Sequence, residues 1–396
     1  MQRKDSRASP LKLAAFWNDA RARALFLQAL FLLAVLLFAL SVLDNTLNNL
    51  AQRGISTGFG FLSSEAGFGI LQTLIEYSES STFGRTFLVG LLNTLLVSFL
   101  GVAFATLLGF VIGVARLSGN WLVSRLAATY IEIFRNIPLL LQIFFWYFAV
   151  LQALPTPRQS LSVGEILFLN LRGLYLPRPV AEPGFWVVLA ALGVALLFCL
   201  ALARWARQRR ERQGRDFPVV RLSLAVVLLL PLGTYFVAGM PLAWELPTLQ
   251  GFNFRGGISL IPELTALLIA LSIYTAAFIA EIVRSGILAI PRGQTEAAQA
   301  LGLSKGQVLR LVVIPQALRV IIPPLTNQYL NLIKNSSLAT AIGYPDLVSV
   351  FAGTTLNQTG QAVEVIAMTM AVYLLNSLSV SLFMNWYNKK MALVER

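Results

Sequence analysis

The residues whose types and spacing are most informative lie in a polar segment of an otherwise apolar chain. Glu296, Ala297 and Ala298 precede Gly302 and Pro315 in the pattern E-A-A-x-x-x-G-x9-V-x-I-P. Long apolar runs flank the segment on both sides, so we expect it to project from a membrane as a short cytoplasmic loop. The carboxylate of Glu296 can meet a basic residue of another protein, or it can simply favour the N-terminus of its own helix.

Capping and turn signals divide this loop into two short helices. Residues 295–301 are good helix formers, and Gly302 suits a left-handed C-terminal cap. Ser304 and Gln307 form a capping-box pattern that starts a second helix, which we expect to end before Pro315. The predicted product is a compact helix-turn-helix. The sequence also resembles a DNA-binding helix-turn-helix, but a module held between two transmembrane spans cannot easily reach a DNA groove. A third interpretation is that the loop helices only pack against the helix bundle and bind no partner.

A second set of polar residues falls inside a predicted span. Asn327, Asn331, Lys334 and Asn335 are spaced i, i+4, i+7 and i+8 and therefore share one face of a helix. Polar side chains are costly in hydrocarbon and tend to face a bundle interior or a water-filled path. This polar stripe therefore lines a translocation path, meets another subunit, or joins helices within this subunit.

Other polar residues within the predicted spans are weaker candidates. Glu132 and Arg135 can form an i, i+3 ion pair, although Glu132 is also placed to contact a substrate. Glu281, three residues before Arg284, is expected at a solvated helix end. The remaining candidates are Asn93, Gln142 and Asn376.

Composition defines the class of protein and excludes several kinds of chemistry. Hydrophobic residues make up 57% of the chain, charged residues 12%, and the mean hydropathy is +0.71. These values indicate a polytopic membrane protein. The chain has no histidine and a single cysteine, Cys199, which disfavours redox, zinc and Ser-His chemistry. No G-x-x-x-x-G-K-[ST] phosphate loop occurs, so we expect no cofactor in this chain and ATP to be bound by another polypeptide.

The fold class predicted is an all-α integral membrane protein with about eight transmembrane helices. The predicted spans are 24–43, 86–113, 126–154, 185–203, 222–240, 264–283, 317–337 and 363–386. Basic residues concentrate in the loops that an inside N-terminus places in the cytoplasm. The outer loops hold only Arg53, Arg158, Arg172, Arg178 and Arg255, so both termini are expected in the cytoplasm. The first span is expected to be a retained anchor with no removable signal peptide.

The chain is expected to have a core and two additions. Residues 1–84 supply a basic cytoplasmic tail, an extra span and an outer loop, and residues 87–388 contain the core with its loop at 284–316. An insertion at 155–261 adds two spans joined by an arginine-rich stretch. That stretch is either an anchor beside anionic lipid or a regulatory or partner-binding segment.

Three further stretches, together with the loop, carry a resemblance to a known family. They are L-L-N-T-L-L-V-S at 91–98, Y-I-E-I-F-R-N-I-P-L-L-L-Q at 130–142 and K-N-S-S-L-A-T-A-I-G at 334–343. Over residues 87–388 the chain resembles the permease subunits of amino-acid ATP-binding-cassette (ABC) importers of the histidine-permease type. Its length and insertion look like the larger permease of a general L-amino-acid transport system. Val312 and Ile314 stand where the family more often has Ile and Leu.

The resemblance implies a five-helix type I importer core working by alternating access in the bacterial inner membrane. Residues 284–316 would be the coupling loop, in which Glu296, Ala297, Ala298, Gly302 and Pro315 serve docking to a separate ATPase. The implied partners are a second related permease forming a heterodimer, two copies of a cytoplasmic ATPase and a periplasmic amino-acid-binding protein, with no nucleic acid. The chain would thus be a transporter subunit and not an enzyme.

A secondary transporter or channel for small polar solutes is the alternative. Inverted repeats and ionisable residues at mid-membrane would favour it, and neither is evident in the sequence. A membrane-embedded enzyme is disfavoured because no span contains a carboxylate pair.

Overall fold

The computed structural model describes residues 20–52, 57–214 and 217–391. Part of the predicted basic tail, with Arg3, Lys4, Arg7 and Lys12, lies outside the described residues, as does Arg53.

Helices make up most of the described chain, because a segment inside lipid must satisfy its own backbone hydrogen bonds. In chain order they are α1 (Ala20–Gln52), α2 (Phe83–Arg116), α3 (Trp121–Asn136), α4 (Leu139–Phe144), α5 (Phe185–Gln213), α6 (Val219–Val237), α7 (Pro262–Leu288), α8 (Arg292–Ala300), α9 (Lys305–Val308), α10 (Ile314–Asn335), α11 (Leu356–Thr359) and α12 (Ala362–Met391).

Within the described ranges, seven helices are long and apolar enough to cross a membrane. A bent pair, formed by α3 and by α4 with the π-helical turn Phe145–Leu151 that continues it, brings the number to eight. This confirms the predicted class. Several helices extend beyond the predicted spans, most clearly α1 and α5. The arginine-rich stretch belongs to the last turns of α5 and is not a loop, because helical hydrogen bonding continues to Gly214, whose positive φ of 64° ends the helix.

The span predicted over 126–154 is two helices that meet at 105°. Pro138 stands at the break, where it lacks an N–H and disfavours the helical conformation of Ile137. The side-chain amide of Gln142 donates to the carbonyl oxygens of Phe134 at 3.1 Å and Ile137 at 2.9 Å. These bonds satisfy carbonyls that α3 leaves free at its end. The predicted span is therefore broken by a bend, which Gln142 stabilises.

The chain forms two compact units. One contains the residues up to Asn93 together with Pro345–Leu378. In its core, the Phe61 ring lies 6.2 Å from the rings of both Phe83 and Phe351, measured between centroids. Aromatic burial of this kind stabilises the packing of the short 3-10 helix Gly60–Ser63, which contains Phe61, against the start of α2.

The other unit, Thr94–Tyr344 with Ser379–Arg396, is organised around α7. Leu271 of α7 and Ile143 belong to one buried cluster, and Ile279 packs with Ile321 in a second. Helix α2 approaches α7 closely at Gly109, where a Cβ atom would lie 2.6 Å from Cβ of Ile279. Only glycine permits this approach, because the contact is with the rigid base of a branched side chain.

The insertion consists of a helical hairpin and a set of strands that were not predicted from the sequence. Helices α5 and α6 pack mainly against each other. The strands are β1 (Leu161–Val163), β2 (Leu167–Asn170), β3 (Gly173–Leu176), β4 (Arg178–Ala181), β5 (Leu242–Glu245), β6 (Thr248–Gln250), β7 (Asn253–Arg255) and β8 (Ile258–Leu260). They form an antiparallel sheet in the order β1-β2-β3-β8 and the two pairs β4-β5 and β6-β7. We call strands β1–β8 and their connections the β module.

Candidate functional site

The predicted loop at 284–316 folds as two short helices at the end of α7. Helix α7 ends at Leu288, Pro291 precedes α8, and Ser304 precedes α9. The first loop helix starts at Arg292, three residues earlier than predicted, because Pro291 can occupy the position before a helix without losing a helical hydrogen bond. The helix-turn-helix predicted for this loop is present in the structure.

The turn between the helices confirms the conformation predicted for Gly302. Its φ is +83°, in the left-handed region. The N–H of Gly302 donates to the carbonyl of Gln299 at 2.9 Å, and the N–H of Leu303 donates to the carbonyl of Ala298 at 3.2 Å. This pair of bonds is the Schellman motif, which satisfies carbonyls at a helix C-terminus. The turn direction therefore depends on one left-handed residue.

The second helix begins as predicted but does not stop where predicted. The Gln307 side-chain oxygen accepts from the Ser304 N–H at 2.9 Å, as in a capping box. After Val308 the chain makes a π-helical turn over Leu309–Val313 and enters α10 without a break. Pro315 lies in the first turn of α10, where its missing N–H is tolerated. The prediction that the helix ends before Pro315 is wrong.

A small apolar core holds the loop together and divides the E-A-A motif. Ala298, Val308 and Val313 are buried against one another, at 5%, 4% and 8% exposure. Glu296 and Ala297 are exposed. Ala298 therefore stabilises the loop itself, whereas its two neighbours are available to a partner.

Two observations refine the candidate contact surface. Glu296 is the fifth residue of α8, one turn beyond the N-terminus, so the helix dipole acts on it weakly. It forms no hydrogen bond or ion pair within the described part of the chain. Leu301 at the apex is 83% exposed and was not among the residues predicted from the sequence. The sequence does indicate an exposed position for Leu301, since it is a large apolar residue directly before the glycine of the turn.

The polar stripe lies on one face of α10, as its spacing predicts. Asn327, Asn331 and Lys334 are exposed and Asn335 is half-buried, whereas Leu332 on another face is fully buried. None of the four stripe side chains makes a hydrogen bond to another described residue. The alternative that the stripe joins helices within this subunit is therefore not supported.

The structure joins the loop to the stripe through one helix. From Lys305 through the π-helical turn to Asn335 the chain is helical throughout. At 1.5 Å per residue, Asn327 lies about 33 Å from the start of this helix. Glu296, Ala297, Ala298 and Gly302 are gathered around the two loop helices, and Pro315 lies at the end of the predicted loop, in the first turn of α10.

The expected pair of Glu132 and Arg135 is not formed in the described chain. The Arg135 guanidinium lies over the ring of Phe278 in α7, with Cζ 5.3 Å from its centroid. Glu281 pairs instead with Arg284, whose Nε donates at 2.9 Å, and both side chains are about one-third exposed. Glu132 is exposed on α3, so its proposed contact with a path or partner depends on groups outside this chain.

Comparison with known proteins identifies the family. Residues 218–393 match the binding-protein-dependent transport system inner membrane component. The Escherichia coli protein YhdX, assigned as an amino-acid ABC transporter permease, is 55% identical over 390 residues, which cover 98% of this chain and 99% of YhdX. The chain belongs to the amino-acid ABC transporter permease family.

Two further permeases align over nearly their whole length. The general L-amino acid transport system permease protein AapQ of Rhizobium johnstonii is 51% identical, with 96% of this chain and 94% of AapQ covered. The glutamate/glutamine/aspartate/asparagine transport system permease protein BztB of Rhodobacter capsulatus is 40% identical, with 97% of each chain covered.

The permease is thus a multi-pass membrane subunit of an ATP-driven amino-acid importer, as the sequence motifs predict. Its family is binding-protein-dependent, so its partners include a substrate-binding protein and an ATPase. The alternative of a secondary transporter or channel has no support among these relatives.

Proposed function

We propose that this permease moves L-amino acids of several classes across the bacterial inner membrane by alternating access. The relatives AapQ and BztB, named for general L-amino-acid transport and for acidic amino acids with their amides, support a broad substrate range. The observation that carries the mechanism is the unbroken helix from the loop to the polar stripe.

Coupling follows from that helix. A partner that moves α8 and α9 also displaces the start of the Lys305–Asn335 helix, because the Ala298, Val308 and Val313 core ties the two loop helices together. A continuous helix transmits this displacement along its axis more directly than a flexible loop. ATP binding biases the transport cycle only through contacts that differ between the outward and inward states.

We assign the contact with the ATPase to the exposed residues of the loop, Glu296, Ala297 and Leu301. Gly302 sets the angle between the helices, and Ala298 and Pro315 serve the loop and its junction with α10. ATP itself is bound by the partner, since the sequence has no phosphate loop.

The polar stripe faces the translocation path or a second permease. Polar side chains on a membrane-spanning helix, three of them exposed and Asn335 half-buried, need water or a protein partner, because lipid offers no hydrogen bonds. A related permease in a heterodimer supplies such a partner within the membrane. Two copies of the ATPase complete the complex on the cytoplasmic side. In this arrangement the coupling loop and both termini are cytoplasmic, as the distribution of basic residues indicates.

Reconstitution tests the proposal. The permease, a second permease and the ATPase are purified together and placed in vesicles, and uptake of labelled L-amino acids is measured with the binding protein outside. We expect uptake only when ATP and the ATPase are present. Uptake by this chain alone, driven by an ion gradient, would contradict the proposal.

A further inference from the structure

The β module lies at the opposite end of α7 from the coupling loop. Strand β8 ends at Leu260 and α7 begins at Pro262, whereas α8 follows the other end of α7. Helix α7 has 27 residues and is therefore about 40 Å long, close to the thickness of a bilayer with its headgroups. If the coupling loop meets the ATPase on one side of the membrane, the β module stands on the other side.

A small aromatic core makes the β module a defined scaffold. The Phe254 ring lies 4.5 Å from the Phe168 ring and 4.9 Å from the Tyr175 ring, measured between centroids. The Tyr175 hydroxyl donates to Asn253 Oδ1 at 2.8 Å. Burial raises the pKa of Tyr175, so the hydroxyl remains a neutral donor at physiological pH. Surface residues of this module are thus presented by a folded sheet.

A cavity of about 320 Å³ opens beside the sheet and contains two arginines. The Arg158 guanidinium lies over the Phe252 ring, with Cζ 5.0 Å from its centroid, and Phe252 is 74% exposed. The cavity is lined by Thr156, Pro157, Arg158, Leu171, Arg172 and Phe252. We call it the arginine pocket.

The charge of the arginine pocket is not neutralised by its own lining. No carboxylate lines it, and within the described residues neither Arg158 nor Arg172 forms an ion pair or a side-chain hydrogen bond. Glu165 lines a neighbouring cavity together with Arg158, and the two side chains form no ion pair. Two guanidinium groups in this setting are complementary to carboxylates, which they bind through paired N–H donors.

The backbone that carries Arg172 is held in place. Buried Asn170 accepts from the Arg172 N–H at 2.8 Å through Oδ1 and donates to Ser160 Oγ at 2.9 Å through Nδ2. This link connects the loop bearing Arg172 to the turn that follows Arg158. Two arginine side chains carried by a fixed backbone lose less conformational entropy on binding than two carried by a flexible loop.

We propose that the arginine pocket docks an acidic surface of the substrate-binding protein. The family depends on such a protein, and the pocket lies at the end of α7 that faces away from the coupling loop. Arginine and aromatic side chains commonly dominate binding at protein interfaces, and uncompensated charge speeds the encounter of oppositely charged surfaces. The proposal rests on the proposed function, which assigns the coupling loop to the cytoplasmic side.

The test compares two double charge reversals in the complete reconstituted transporter. Arg158→Glu with Arg172→Glu alters the pocket, and Arg178→Glu with Arg255→Glu alters exposed strands of the same module by the same charge. Uptake is measured as the binding protein is titrated. We expect the pocket variant to raise the half-saturating concentration about 3- to 30-fold over the control, with unchanged uptake at saturation. The difference should shrink in high salt.

Equal half-saturating concentrations for the two variants would overturn the docking proposal. ATP-dependent uptake by the unaltered complex is measured in parallel, so failure of the transport function is recognised separately. A photoreactive benzoylphenylalanine in place of Phe252 provides a second measurement that leaves both arginines intact. A cross-link to the binding protein supports the proposal, whereas cross-links only to lipid or to the second permease, or none, contradict it.

Discussion

Gly302→Val tests whether the angle between the loop helices controls coupling. The φ of Gly302 is +83°, and a Cβ atom added there would meet nothing within 4 Å. The cost of valine is therefore the backbone strain of the left-handed conformation alone, about 1–2 kcal/mol. A cost of this size reduces the population of the observed turn about 5- to 30-fold relative to a relaxed alternative.

Gly306→Val is the matched control. Gly306 lies in the same loop with open space around its Cβ position, but its φ is not positive. Valine is a slightly better helix former than glycine, so this change favours the helix by only about a few tenths of a kcal/mol. Gly302→Asn is a second control, because asparagine tolerates the left-handed region better than other residues.

The assay is ATP-dependent uptake in vesicles, normalised to the amount of permease that copurifies with the ATPase. We expect uptake to fall several-fold for Gly302→Val, to fall less for Gly302→Asn, and to stay near normal for Gly306→Val. Membrane insertion should be unaffected, because the spans do not include the turn. Equal uptake by the two valine variants would refute the role of the left-handed turn.

Three other substitutions test the exposed face of the loop, the polar stripe and the packing of α2 against α7. Glu296→Gln should lower copurification of the ATPase, since Glu296 is exposed and unpaired within the described chain; an unchanged yield would remove it from the interface. In a Cys199→Ala background, a cysteine replacing Asn327 should react with small polar thiol reagents far faster than a cysteine replacing Leu332, which is buried. If both cysteines fail to react, the polar stripe is not in contact with water. Gly109→Val should lower the free energy of unfolding of the purified permease by about 1–3 kcal/mol, as is typical of overpacking, because the α2–α7 contact cannot admit a Cβ atom. The melting temperature should fall accordingly, and an unchanged melting temperature would contradict that packing.

Features that depend on nearby residues were predictable from the sequence. The Gly302 turn and the Ser304 capping box form within a few residues of each other, so spacing alone indicates them. Most spans were predictable for a similar reason, because a helix in lipid satisfies its hydrogen bonds locally and needs only length and hydropathy. The family resemblance rested on such short motifs as well.

Other features depend on contacts between segments distant in the sequence. Pro138 signals a possible break, but the 105° bend also needs Gln142 to bind the carbonyls of α3. Pro315 suggested a helix end, yet a π-helical turn carries the chain past it. Proline limits the backbone locally, and the packing around it determines whether the helix ends, bends or continues.

The sequence by itself therefore determined the class of protein, its spans and the presence of a two-helix loop, because hydropathy and capping act over short distances. Only the tertiary structure decided which residues of the E-A-A motif are exposed, since the burial of Ala298 depends on Val308 and Val313. It also decided that strands far apart in the chain assemble into the β module, where Arg158 and Arg172 line one cavity. Burial and charge proximity are properties of the folded chain, because they arise from residues that the sequence separates.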